Sequence, residues 1–121
     1  MLIGAGQKMY LSRDEARNWM RHVAAHTKHL QHVELFVLPS FVWLSDAQEL
    51  LSGTHVRWGA QNVHWDERGA WTGEVSPLMV KELGATIVEI GHSERRAHFG
   101  ETDATVNKKV LAALRHNLTP L

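Results

Sequence analysis

A chain of 121 residues is long enough for one domain with a hydrophobic core and too short for two. Its 13 lysines and arginines balance 13 aspartates and glutamates, and its 44% hydrophobic content marks it as globular, so no net charge draws it to nucleic acid or to an anionic membrane. The absence of cysteine excludes a disulfide framework, thiolate chemistry and Cys-type zinc sites.

Taken in chain order, Met1 to Gly6 is too short and glycine-rich for a signal-peptide core. No apolar run approaches the roughly 20 residues of a membrane helix, and the expectation is a soluble, cytoplasmic protein. Leu2 to Gly6 reads as a short apolar strand. Ser12-Arg13-Asp14-Glu15 is a capping box, which predicts a helix to about His29 with an apolar stripe of Ala16, Met20, Val23, Thr27 and Leu30. Val33 to Leu38, closed by Pro39, suits a strand buried on both faces. A short helix over Ser45 to Leu51 is ended by Gly53. Val56 to Ala60 is the third strand, and Gln61 to Gly73 is a long polar loop.

Ser76-Pro77 is an N-cap followed by proline at the first helical position, with Gly84 at the expected C-terminal turn. Ala85 to Ile90 is the fourth strand. Thr102 caps a last helix whose stripe is Val106, Val110, Leu111 and Leu114, and Asn117 can end it. Leu118 to Leu121 opens a fifth strand. Strand starts near Leu2, Val33, His55, Ala85 and Leu118 leave room for a crossover helix each time, which implies parallel strands with right-handed crossovers. Doubly wound sheets and (βα)8 barrels both begin this way, and periodicity does not separate them.

Polar residues collect just after strand ends: Lys8 after the first, Gln61 and Asn62 after the third, His92 after the fourth. Sites in α/β folds form at these ends. The run Gly91-His92-Ser93-Glu94-Arg95-Arg96 can set a histidine at a helix N-terminus, where the positive end of the helix disfavours imidazolium and leaves a neutral hydrogen-bond donor. The plainer reading has Ser93 and Glu94 capping a helix while Arg95 and Arg96 are solvated. His22, His26, His29 and His32 read as surface groups rather than a metal site, because no carboxylate joins them at ligand spacing. The five tryptophans read as core and interface residues.

The segments Ala60-Gln61-Asn62, Gly69 to Ser76, Gly91 to Arg96, Phe99-Gly100-Glu101-Thr102, Val106-Asn107-Lys108 and Leu118-Thr119-Pro120, in this order, resemble the triosephosphate isomerase family from about His55 onward, and more weakly before it. The resemblance implies the N-terminal half of a (βα)8 barrel. It covers about four βα units and the start of strand five, as a single partial domain over residues 1–121 that stops before the second half. It implies that His92 is the electrophilic histidine and Glu94 a conserved acid of the active-site region. Lys8 becomes the substrate-binding lysine, and Thr72, Gly73 and Glu74 belong to a loop that inserts into a partner subunit, with Trp71 at its tip.

The implied chemistry is the family's own: a glutamate base, a neutral histidine electrophile and a closing loop interconvert a ketose and an aldose phosphate through an enediolate. The implied reaction converts dihydroxyacetone phosphate to glyceraldehyde 3-phosphate with no cofactor and no metal. The implied partners are a small phosphorylated sugar and a second copy in a homodimer. Two features depart from the pattern. Where the family reads Gly-Asn-Trp-Lys-Met-Asn, this chain has Ala5-Gly6-Gln7-Lys8-Met9-Tyr10, so Gly6, at the substrate-binding position, replaces an asparagine that supports substrate. The glutamate base and the phosphate-binding turns lie beyond strand five in the family, so the 121 residues alone are expected to be inactive. The alternatives are a paralogue acting on another sugar phosphate, such as a tetrulose phosphate, and a non-catalytic half-barrel that binds a partner.

Overall fold

Five parallel strands lie side by side in chain order: β1 (Leu2–Gly6), β2 (Glu34–Leu38), β3 (Val56–Ala60), β4 (Ile87–Val88) and β5 (Thr119–Pro120). The structure, a computed structural model, describes residues 1–30 and 32–121. The crossovers carry α1 (Arg13–His26), α2 (Leu44–Leu51, after a 3-10 turn at Phe41–Trp43), α3 (Pro77–Glu82), α4 (Ser93–Phe99) and α5 (Asp103–Arg115). This is the expected half-barrel.

The register assigns each strand residue to a face. Leu35 lies opposite Val56, and Phe36 lies opposite both Gly4 and Arg57. Alternation then turns Leu35, Val37, Val56 and Ala60 toward the helices, and Gly4, Gly6, Glu34, Phe36, Arg57 and Gly59 toward the barrel interior. Two apolar clusters fill the helix side. Ala16, Met20, Ala24, Leu35, Val37, Ala47, Leu51 and Val56 join α1 and α2 to the sheet, while Ala60, Val63, Val80, Ala85, Val88 and Ala113 join α3 and α5 to it. Burying a side chain such as Met20 or Leu51 contributes about 2–3 kcal/mol. On the interior side the Phe36 ring lies over Gly4, where a Cβ would come within 2.0 Å of it. Arg57 ties the strands at the opposite end, donating to Glu34 Oε2 at 3.1 Å, Thr86 Oγ1 at 3.0 Å and Thr119 Oγ1 at 3.1 Å.

The local signals explain most element ends. Ser12 and Glu15 form the reciprocal capping box, Ser76 caps α3 ahead of Pro77, and Thr102 caps α5. Gly84 (φ +76°) and Asn117 (φ +53°) take left-handed turns after α3 and α5. Several expectations need correction. Helix α1 stops at His26, three residues early: Thr27 leaves the helical backbone geometry at φ −109° and ψ 7°, and its hydroxyl closes on the Val23 carbonyl. The residues that α1 buries are Ala16, Met20 and Ala24. In α5, Leu111 and Leu114 are half exposed, and Lys109, Ala112 and Ala113 are buried in their place. The small alanines allow close approach to the sheet, and Lys109 is drawn inward by the buried carboxylate of Glu101. Before α5 stands a separate helix, α4, ended by Gly100 at φ +67°. Strand β4 is assigned only two residues, but its ladder runs further: Thr86 N–H donates to Trp58 O, Glu89 N–H to Ala60 O and Ile90 N–H to Leu121 O. Among the described residues, no helix is long and apolar enough to cross a membrane.

Candidate functional site

The ends of β1, β2 and β3 are laced together at Lys8. Gln7 N–H continues the ladder to Leu38 O at 3.0 Å, and then the chain turns sharply, with Lys8 at φ +50°. A side chain in that region costs on the order of 1–2 kcal/mol, so the turn persists only where its surroundings hold it. Here the Lys8 carbonyl accepts from Ser40 Oγ at 2.9 Å and from Gln61 Nε2 at 3.0 Å, and the same Gln61 amide reaches Leu38 O. The strained turn thereby sends the Lys8 ammonium across to the end of β4, where it donates to Glu94 Oε1 at 2.5 Å.

His92 caps α4. Its Nδ1 accepts the backbone N–H of Glu94 at 3.1 Å, so the ring proton resides on Nε2, leaving that nitrogen a donor. The plainer sequence reading is corrected here: the histidine itself is the cap, not Ser93 or Glu94. Gly91, at φ +69° and with a Cβ position only 2.7 Å from Val106, lets the chain make the turn. The hydrogen bond and charge of Glu94 hold the Lys8 ammonium above its ordinary pKa, and the Lys8 hydrogen bond holds the Glu94 carboxyl below its own. Both groups therefore stay charged across the neutral range.

These residues line a groove of about 540 Å³ together with Tyr10, Gln61, Asn62, Glu89 and His98. Lys8, His92 and Glu94, expected from sequence, are thus brought together, and Gly6 ends the strand that leads to Lys8. The expected loop residues Thr72, Gly73 and Glu74 are exposed and do not line the groove. Their loop is braced at its base, where the ring of buried His64 lies tilted against Trp65 (4.2 Å) and Trp71 (4.5 Å) and the His64 backbone N–H donates to Val75 O. Trp71 remains 46% exposed.

A buried polar network underlies the groove. Lys109 Nζ donates to Asn62 Oδ1 at 2.8 Å and to Glu101 Oε1, which also accepts from Arg95 Nε at 2.6 Å. It joins β3 and α5 to α4, the helix that His92 caps. Sequence reasoning missed this network and Ser40. The strand-end rule applied after Pro39 would have found Ser40. Lys109 carried a signal in its position three residues after Val106 and four before Ala113, on the apolar stripe.

Residues 1–121 match a family model described as triosephosphate isomerase. A protein named L-erythrulose-1-phosphate isomerase from Brucella abortus biovar 1 is 51% identical over 120 residues, covering 98% of this chain and 47% of that protein. A triosephosphate isomerase from Thermoanaerobacter pseudethanolicus is 46% identical over 120 residues, covering 99% of this chain and 48% of its own. The crystal structure of triosephosphate isomerase from Bartonella henselae superposes with a TM-score of 0.91 at 37% identity, over 98% of this chain and 49% of that one. The chain spans about half the length of the relatives it matches.

Proposed function

Because the chain belongs to the triosephosphate isomerase family, we propose that it carries the first half of the active site of an isomerase for short-chain sugar phosphates. The observation that carries the reading is the convergence of a cationic Lys8, paired with Glu94, and the Nε2–H donor of His92 on one strand-end groove. A donor held in place before reaction stabilises the charge that develops on a carbonyl oxygen without having to reorganise. In the proposed step, a base removes a proton from the carbon next to the carbonyl, and the C–H electron pair becomes the C=C bond of an enediolate. His92 donates to the oxygen on which charge accumulates, and Lys8 holds an anionic group of the substrate, with Glu94 fixing the lysine. Transfer of the hydroxyl proton from the first oxygen to the one that carried the charge, and return of the abstracted proton to the former carbonyl carbon, give the aldose. The carboxylates lining the groove are Glu89 and Glu94, and Glu94 is occupied by Lys8. The resemblance assigns the base to the half of the barrel that these 121 residues do not include.

The names of the relatives, some for erythrulose-1-phosphate and others for triosephosphate, support the class of substrate. The braced loop with Trp71 near its tip supports a homodimer in which Thr72, Gly73 and Glu74 reach a second copy. The test is turnover of dihydroxyacetone phosphate and of a tetrulose phosphate by a complete barrel carrying this half, beside its His92→Gln variant. Loss of one such donor lowers kcat by roughly 10² to 10³-fold, and residues 1–121 alone turn over neither sugar. Equal rates in parent and variant, or a parent inert toward both sugars, overturn the proposal.

A further inference from the structure

Arg96 reaches the backbone on both sides of His92. The His92 carbonyl accepts from the backbone N–H groups of Arg95 at 2.9 Å and of Arg96 at 3.1 Å, as the first turn of α4 closes. The carbonyl before it, that of Gly91, accepts from Arg96 Nε at 2.9 Å. The guanidinium is oriented in turn by Asp103, the first residue of α5, whose Oδ1 accepts from Arg96 Nη1 at 2.8 Å. The plainer sequence reading left Arg96 solvated. Its side chain is 40% exposed, yet two of its donors are engaged at the turn that presents the histidine. All of these contacts lie within residues 91–103, so they are complete in this half of the barrel.

The turn needs such a hold. Gly91 is left-handed at φ +69°, and glycine tolerates a wide range of backbone angles. Rotation of the peptide between Gly91 and His92 changes the φ of His92, and with it the direction in which the ring leaves the backbone. A hydrogen bond to the Gly91 carbonyl stops that rotation. The other restraint on the ring, the Glu94 N–H at Nδ1, fixes the tautomer but leaves the preceding peptide free. We infer that Arg96 is a positioning residue for His92: by bridging the Gly91 carbonyl to Asp103 it fixes the peptide from which the ring projects, and so holds the Nε2–H donor in place at the groove. The effect on rate rests on the isomerase reading above, whereas the effect on the ring rests on these contacts alone.

The experiment takes the complete barrel carrying this half, its Arg96→Met variant and its Asp103→Ala variant. It measures kcat and KM for dihydroxyacetone phosphate and for a tetrulose phosphate, and the 15N–1H spectra of the His92 ring. Arg96→Met should lower kcat by roughly 10 to 10²-fold, the upper end being the scale on which a misplacement of about 1 Å is felt. KM should stay nearly constant, because Lys8 still holds the anionic group, and that split marks an interaction made in the transition state. The Nδ1 and Nε2 resonances of His92 should move toward each other as the ring loses its fixed setting. Asp103→Ala removes only the orienting carboxylate and leaves the bond to Gly91, so its effects should be smaller and in the same direction. Asp103 is 97% exposed, so this variant keeps the test readable if Arg96→Met does not fold. Parent-like kcat and ring signals in folded Arg96→Met, or in Asp103→Ala where that alone folds, overturn the role of Arg96 and leave the isomerase reading intact. A parent inert toward both sugars overturns the isomerase reading, and the ring signals then decide the role of Arg96 by themselves.

Discussion

Replacing Lys109 with methionine tests whether the buried network holds the site together. Lys109 and Glu101 are each only 5% exposed at the side chain. Burial pushes the Glu101 carboxyl up, but the hydrogen bonds and charges of Lys109 and then Arg95 outweigh it and hold the group below its ordinary value. Methionine keeps most of the packing of the lysine stem and removes the ammonium. Glu101 then retains only Arg95, and Asn62 Oδ1 loses its donor. Breaking one side of a buried pair costs about 3–5 kcal/mol. The surviving Arg95 bond favours the low end, and the orphaned Asn62 oxygen adds about 1 kcal/mol. The expected loss is therefore about 3–4 kcal/mol, read from urea unfolding at neutral pH. Removing both charges, in Lys109→Met with Glu101→Leu, leaves a partly exposed Arg95 to water and should restore more than half of the loss. The single-variant deficit should narrow in acid, since protonating Glu101 removes the charge that Lys109 was compensating. A cost below about 1 kcal/mol, or a double variant no more stable than the single, would refute the reasoning.

Further outcomes follow from other contacts. Gly59→Ala sets a Cβ 1.9 Å from the Ile87 carbonyl oxygen, so β3 and β4 must separate; the expected cost exceeds about 3 kcal/mol in the same unfolding assay. Asp46 is buried, and its carboxyl is held low first by the hydrogen bond from Arg13, against the effect of burial, and then by that from Arg17. A depressed carboxyl contributes stability that is fully present above its unfolded pKa and lost as pH falls through its lowered folded value. Unfolding midpoints should therefore drop in acid, and Asp46→Asn should flatten that drop. Trp71→Asp should weaken self-association of the complete barrel in sedimentation while leaving the His92 ring signals unchanged, because Trp71 does not line the groove.

The fold was legible where local chemistry decides it. Ser12, Ser76 and Thr102 caps, the turn residues Gly84 and Asn117, and the spacing of apolar runs are all short-range signals, and they located the strands and helices; they do not separate a barrel from a doubly wound sheet, and the half-barrel came from the family resemblance. Lys8 and His92 were legible through their places at strand ends. What escaped depends on contacts distant in sequence. Glu94 was named through the resemblance, but its pairing with Lys8 spans 86 positions and was not, and Lys109 meets Asn62 across 47. The face of α5 was misread because leucines outrank alanines in hydrophobicity, yet close packing on the sheet selects Ala112 and Ala113. The cap of α4 was misassigned because histidine is a less familiar capping residue than the serine beside it, and only the approach of Nδ1 to the Glu94 N–H reveals its role.

The most direct test of the central claim, that this groove presents His92 as a hydrogen-bond donor beside Lys8, is the tautomer of that ring. Long-range 15N–1H correlation spectra at neutral pH should show Nδ1 of His92 as an unprotonated acceptor and Nε2 as the protonated nitrogen, with Glu94→Ala leaving the pattern in place because the acceptor bond is to the backbone. A proton found on Nδ1 would contradict the account, since the ring could not then both cap α4 and present Nε2–H to a substrate carbonyl.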